Sequence, residues 1–265
     1  KPGRMWLAVV MLYQDEVHSA GKKLRWTFLP LIIQAWNEAG SVTDIEVVIL
    51  SDLSATQSLG NPRPMNQIKI RGSTDVNRPL VNINIVLDSS FSSVVVSDPL
   101  LCRSSCPQQI LIIENIRSNT STSLVQWTNA VNNVQLNVTN CYIEGRNQVI
   151  SFSTGKSFVV NMLDSEFVSN TAIPALNGSV LAVSLTATTM LTWNVSNTTF
   201  TNNNAASGGV AFITGAPSSP NTLSFEFTNV MSVDNSATNQ GGFICVSQLY
   251  VSSNVNTVFR NFVLS

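Results

Sequence analysis

Three stretches of this chain, Val160 to Ala172, Trp193 to Ala205 and Phe225 to Ala237, can be laid one under another. Asp164, Asn197 and Asn229 fall in one column, Asn170, Asn203 and Asn235 in a second, and Ala172, Ala205 and Ala237 in a third. Phe167 and Phe200 match in a fourth column, where the third copy carries Ser232. Leu87-Asp88-Ser89-Ser90-Phe91 repeats the frame upstream. Self-similarity of this kind predicts stacked units that touch mainly their neighbours, and it offers long regular faces for binding.

The composition fits a folded β-structure with an uncharged polar surface. Hydrophobic residues make up 44% of the chain and charged residues only 11%. Disordered polar tracts lack such apolar content. The apolar runs are rich in Val, Ile, Phe and Thr, which favour strands. With 14 basic and 15 acidic side chains there is no electrostatic case for a nucleic-acid partner.

In the later repeats, the first strand of each carries apolar residues two apart: Leu136 and Val138, Val160 and Met162, Trp193 and Val195, Phe225 and Phe227. Gln135, Asn137, Asn161, Asn194 and Glu226 alternate with them and are expected outside. A second strand is expected in each repeat, at Val149–Phe152, Val180–Leu185, Val210–Ile213 and Phe243–Val246. Successive first strands lie about 24 to 33 residues apart, within the range of solenoid repeats. Hairpins would call for Asn-Gly or Asp-Gly at nearly every join, and only Asn177-Gly178 qualifies. Parallel stacking follows, with the asparagine columns hydrogen-bonded along the ladder and to turn backbone. Phe91, Phe167 and Phe200 are expected to stack inside, with Met231 or Val233 compensating for Ser232.

Upstream, Leu31, Ile32, Ala35, Trp36 and Ala39 recur at helical spacing between Pro30 and Gly40. An amphipathic helix here would cap the open end of the stacked strands. The predicted fold is therefore an all-β parallel solenoid with an N-terminal capping helix. Residues 1–23 form a candidate leader segment, and 24–265 a single domain. Within the leader, Met5 to Tyr13 reads either as a signal core, with Val17-His18-Ser19 before Ala20 as a cleavage context, or as a first strand or cap. No other stretch is long and apolar enough for a transmembrane helix. The start at Lys1 and the last repeat ending at Ser265 predict a fragment of a longer protein.

Of the four cysteines, only Cys102 and Cys106 are close; they read as a small disulfide loop in an oxidising compartment or as two free thiols. Cys141 and Cys245 sit in apolar surroundings and are expected to be buried. The single histidine, His18, is far from any cysteine pair, so no metal or other cofactor is indicated.

Phe200-Thr-Asn-Asn203-Asn-Ala205 followed by Gly208-Gly209-Val210-Ala211, and the looser echo Asn235, Ala237, Gly241-Gly242-Phe243-Ile244, resembles the paired repeats of the chlamydial polymorphic outer membrane proteins. The resemblance covers roughly residues 160–247. It implies a right-handed parallel β-helix, of pectin lyase-like architecture, exposed at a cell surface and serving adhesion. The paired glycines precede strands, so they are expected to ease a tight turn rather than to cradle phosphate.

β-Helices also include polysaccharide lyases and glycoside hydrolases, which need clustered carboxylates along one groove. Here the best near pair is Asp164 and Glu166, with Glu144 and Arg146 one repeat earlier. Asp164 shares its column with Asn197 and Asn229, which suggests turn capping, and Glu166 reads as a solvated turn residue. No catalytic residue is assigned. Acceptor sequons start at Asn119, Asn137, Asn177, Asn194 and Asn197; Asn177 is the most loop-like of them, and Asn197 is set aside as a ladder residue. The expected function is a secreted or surface-displayed structural or adhesive module binding glycan or protein through its outer faces. The alternative is a carbohydrate-active enzyme of the same fold.

Overall fold

The computed structural model describes residues 44–49, 53–60, 67–72, 78–87, 109–119, 121–130, 133–154, 157–172, 176–186, 189–216 and 218–265. The leader segment, the capping helix around Leu31 to Ala39, Asp88 to Phe91 and the Cys102–Cys106 pair lie outside these residues.

The described residues are all-β. The first two repeats contribute β1 (Asp44–Ile49) with β2 (Leu53–Gly60), then β3 (Gln67–Gly72) with β4 (Val81–Leu87). The next two add a short third strand: β5 (Gln109–Glu114), β6 (Arg117–Ser118) and β7 (Val125–Ala130), then β8 (Val134–Thr139), β9 (Tyr142–Glu144) and β10 (Ile150–Thr154). After these come β11 (Phe158–Leu163), β12 (Glu166–Val168) and β13 (Leu181–Leu185), followed by β14 (Met190–Thr201), β15 (Asn204–Ser207) and β16 (Ala211–Thr214). The last are β17 (Thr222–Val233), β18 (Ser236–Gln240), β19 (Ile244–Ser247) and β20 (Asn254–Leu264).

The chain alternates between two large sheets. One runs β1-β3-β5-β8-β11-β14-β17-β20, with the short strands β6, β9 and β12 leading into β14 from its far half. The other runs β2-β4-β7-β10-β13-β16-β19, and β15 pairs with β18 alone. Every one of these pairings is parallel. The repeat read from the sequence is thus a physical rung: Val160 sits against Leu136 on one side and Trp193 on the other, and Trp193 against Phe225.

Period-two alternation sets the inside. Leu136, Val160, Trp193 and Phe225 are buried, as are Val138, Met162, Val195 and Phe227 in the next inward column. The polar residues between them, Asn137, Asn161, Asn194 and Glu226, are half-buried on the outer face. Phe167 and Phe200 stack inside with ring centroids 5.3 Å apart and planes 14° from parallel.

Two expectations change. The turn after the first strand ends it at β5, β8 and β11 but not in the later repeats: β14 and β17 keep pairing on both sides of Asn197 and Asn229, because one left-handed residue bends the strand without breaking the ladder. Nor does Met231 compensate for Ser232, since Met231 points outward and is 45% exposed. The ring of Phe243 packs on Phe200 instead, at 5.6 Å, and Ser232 is buried and accepts a hydrogen bond from Asn235 Nδ2 at 2.9 Å.

Candidate functional site: asparagine ladders and outer faces

The outer bend is an asparagine column longer than the aligned repeats suggest. Asn115, Asn140, Asp164, Asn197, Asn229 and Asn261 all have positive φ, between 48° and 54°. Asn and Asp tolerate this left-handed conformation better than other residues with a side chain. Each amide donates toward the N-terminal neighbour: Asn140 Nδ2 to Asn115 Oδ1 at 2.9 Å, Asn197 to Asp164 at 3.1 Å, Asn229 to Asn197 at 3.0 Å and Asn261 to Asn229 at 2.9 Å. Asp164 has no amide and cannot donate to Asn140. Arg78 fills that gap, its Nε and Nη2 reaching Asn140 Oδ1 at 3.2 and 2.8 Å.

A second column runs inside, and its polarity is opposite. Asn170 Nδ2 donates to Asn203 Oδ1 at 3.0 Å, and Asn203 Nδ2 to Asn235 Oδ1 at 2.8 Å. The same amides hold backbone: Asn170 Nδ2 on Ile143 O, Asn203 Nδ2 on Phe167 O and Asn235 Nδ2 on Phe200 O, all within 3.1 Å. Their Oδ1 atoms accept from the backbone N–H of Arg146, Asn170 and Asn203. Asn170 and Asn203 are fully buried. These side chains satisfy backbone groups that the bend leaves open, where each unmet group would carry a large desolvation penalty.

Arg146 occupies the next rung of this inner column rather than a cluster with Glu144, Asp164 and Glu166. Its guanidinium is buried and donates to Thr122 O at 2.9 Å and to Ser118 Oγ. Burial works against its charge and lowers its pKa.

The carboxylates named in the sequence do not converge. Glu166 is ion-paired to Arg78 at 3.3 Å, while Asp164 accepts from Asn197 in the outer column. Glu144 lies one rung back, beside Tyr142; partial burial first, then the charge and hydrogen bonding of Glu144, raise the Tyr142 phenol above its usual pKa. Cys141 and Cys245 are buried free thiols. Burial pushes Cys141 up to about 12, and its Sγ donates to Thr139 O at 3.2 Å. Among the described residues no three His, Cys, Asp or Glu side chains cluster as metal ligands would, and no helix is long and apolar enough to cross a membrane.

The sequon residues divide by position. Asn137 and Asn194 lie mid-strand in a third ladder, with Asn161 Nδ2 on Asn137 Oδ1 at 2.8 Å and Asn194 Nδ2 on Asn161 Oδ1 at 2.9 Å. Asn119 is exposed just after β6, and Asn177 is half-buried in the loop before β13.

The paired glycines admit the neighbouring backbone. Gly208 and Gly241 have φ of +62° and +66°. A Cβ on Gly209 would lie 2.1 Å from Gly242 O and 2.5 Å from Ser236 O. Beyond these turns the outer face of the β10–β13–β16 sheet carries Ser151, Ala182 and Phe212 in one register row and Ser153, Ser184 and Thr214 in the next. Compared with protein-family models, curated proteins and solved structures, the chain matches none.

Proposed function

We propose that this chain is a right-handed parallel β-helix displayed outside the cell or on its surface, and that it works as a structural or adhesive module. Glycan or protein would be held on its outer faces. One observation carries the reading: inward positions are apolar or tied into ladders, while two outward rows carry neutral side chains over three rungs each, Asn137-Asn161-Asn194 and Ser153-Ser184-Thr214. Rows of that kind suit many weak, uncharged hydrogen bonds on an extended ligand. The likeness of Phe200–Ala211 to the chlamydial polymorphic outer membrane protein repeats points the same way, toward surface display and adhesion.

A second reading, a carbohydrate-active enzyme of the same fold, draws on Glu166, which lies in register with Tyr142 and is ion-paired to Arg78. A polysaccharide depletion assay separates the two. The module reading expects the protein to be retained on the polymer with no new reducing ends and no unsaturated sugar. Steady release of either product, abolished by Glu166→Gln, would replace it with the enzyme.

A further inference from the structure

We infer that the outer face of the β10–β13–β16 sheet holds a binding site for a neutral glycan, centred on Phe212; this rests on the surface-binding reading above and names its ligand class. A shallow groove of about 190 Å³ lies there. Phe212 is an aromatic residue at an outward position and is only half-buried. Its own row is low on the two preceding rungs, where Ala182 and Ser151 lie in register with it. An aromatic ring next to a low floor offers an apolar platform of the kind on which the C–H face of a sugar ring can rest.

The polar groups around that platform are all uncharged. Gln148 and Asn177 line one part of the groove, Ser184 and Thr214 another. The side-chain polar atoms of Ser151, Asn177 and Ser184 make no hydrogen bond with the described residues, so they are available to a ligand. Thr214 donates its hydroxyl hydrogen to Gln248 Oε1 at 3.2 Å, which leaves its oxygen free to accept. Gln148 is steadied by its Nε2 bond to Asn177 O at 2.8 Å. Mixed donors and acceptors without charge match sugar hydroxyls, and with no cation in the lining a uronate polymer would gain nothing here.

A peptide is the poorer fit. Extended peptides are usually held by main-chain pairing at a sheet edge, and β10, β13 and β16 each already pair on both sides. Recognition at this face must come from side chains alone. Three rungs span about 10 Å, the reach of a short run of linked sugars.

The test is affinity electrophoresis of the whole chain through native gels containing xyloglucan, galactomannan, polygalacturonate or no polymer. Retardation is expected in at least one neutral gel and not in polygalacturonate. Phe212→Ala should weaken it roughly ten-fold. Ala182→Trp, which fills the low floor, should do the same, and Val251→Ala, in the exposed turn before β20, should leave it unchanged. Circular dichroism and thermal melts confirm that each variant is folded; should one groove variant fail to fold, the other decides. Retardation in a neutral gel that is indifferent to both groove variants overturns the site and leaves surface binding standing. Retardation only in polygalacturonate overturns the ligand class. Absence of retardation in every gel overturns the glycan site, and binding of the same protein to intact cells then decides whether the broader reading falls with it.

Discussion

Arg78 directs two of its nitrogens at a single oxygen, Asn140 Oδ1, at the rung where an aspartate, Asp164, stands in the outer asparagine column and offers no amide donor. The column elsewhere is self-sufficient, because each asparagine supplies the hydrogen bond that the rung before it needs. Asp164 accepts from Asn197 but cannot pass a bond on. The arginine therefore reads as compensation for the aspartate, with Glu166 balancing its charge.

That relationship can be measured by a double-mutant cycle. Arg78→Ala alone should destabilise the protein by about 1 kcal/mol, the worth of a partly exposed charged hydrogen bond discounted for solvent. In an Asp164→Asn background the new amide can donate to Asn140, and the same change should cost clearly less. Equal costs in both backgrounds, by urea denaturation, would show that Arg78 and Asp164 are not coupled.

The two columns should differ in their tolerance of a carboxylate. Asn203→Asp removes the donors to Phe167 O and Asn235 Oδ1 in a fully buried position. A loss of about 3 kcal/mol or more is expected. Asn197→Asp is exposed and should cost under about 1 kcal/mol. Chemical denaturation of the two variants side by side gives the comparison.

Glycines on the bends should also separate. Gly209→Ala drives a methyl into Gly242 O and Ser236 O, both backbone atoms that cannot swing away. It should unfold the later repeats or lower the melting temperature severely. Gly145→Ala meets nothing within 4 Å and bears only the left-handed penalty, about 1 kcal/mol. Similar melting temperatures for the two would contradict the close rung-to-rung contact.

Cys141 should resist alkylation in the native state and label on unfolding. Its thiol is raised from an ordinary value near 9 to about 12 by burial. The folded protein therefore keeps the proton longer than the unfolded chain does. This contribution is intact below about pH 9 and is lost as pH climbs from there toward 12. Mass mapping of iodoacetamide adducts at pH 8, with and without denaturant, tests the protection; rapid native labelling of Cys141 would refute it.

Much of the fold was legible because a parallel stack copies its constraints from rung to rung. Wherever three repeats agreed, the register could be read directly: Asn170 over Asn203 over Asn235 is both an alignment and a set of contacts. The first-strand alternation was equally plain, since burial on one face obeys a period of two. Asn115, Asn140 and Asn261 lie outside the three aligned repeats, and their place in the outer column shows in the shared positive φ, the strand register and the ladder hydrogen bonds.

What the sequence determined alone is the repeating layer, because periodic apolar and asparagine positions admit one economical stacking. What the tertiary structure decided is who stands in for a missing partner. Arg78 reaches Asn140 across a separation of 62 residues, Arg146 takes an asparagine rung, and Phe243 covers the gap at Ser232. Such substitutions depend on which side chains converge in space, and no local pattern in the chain records that.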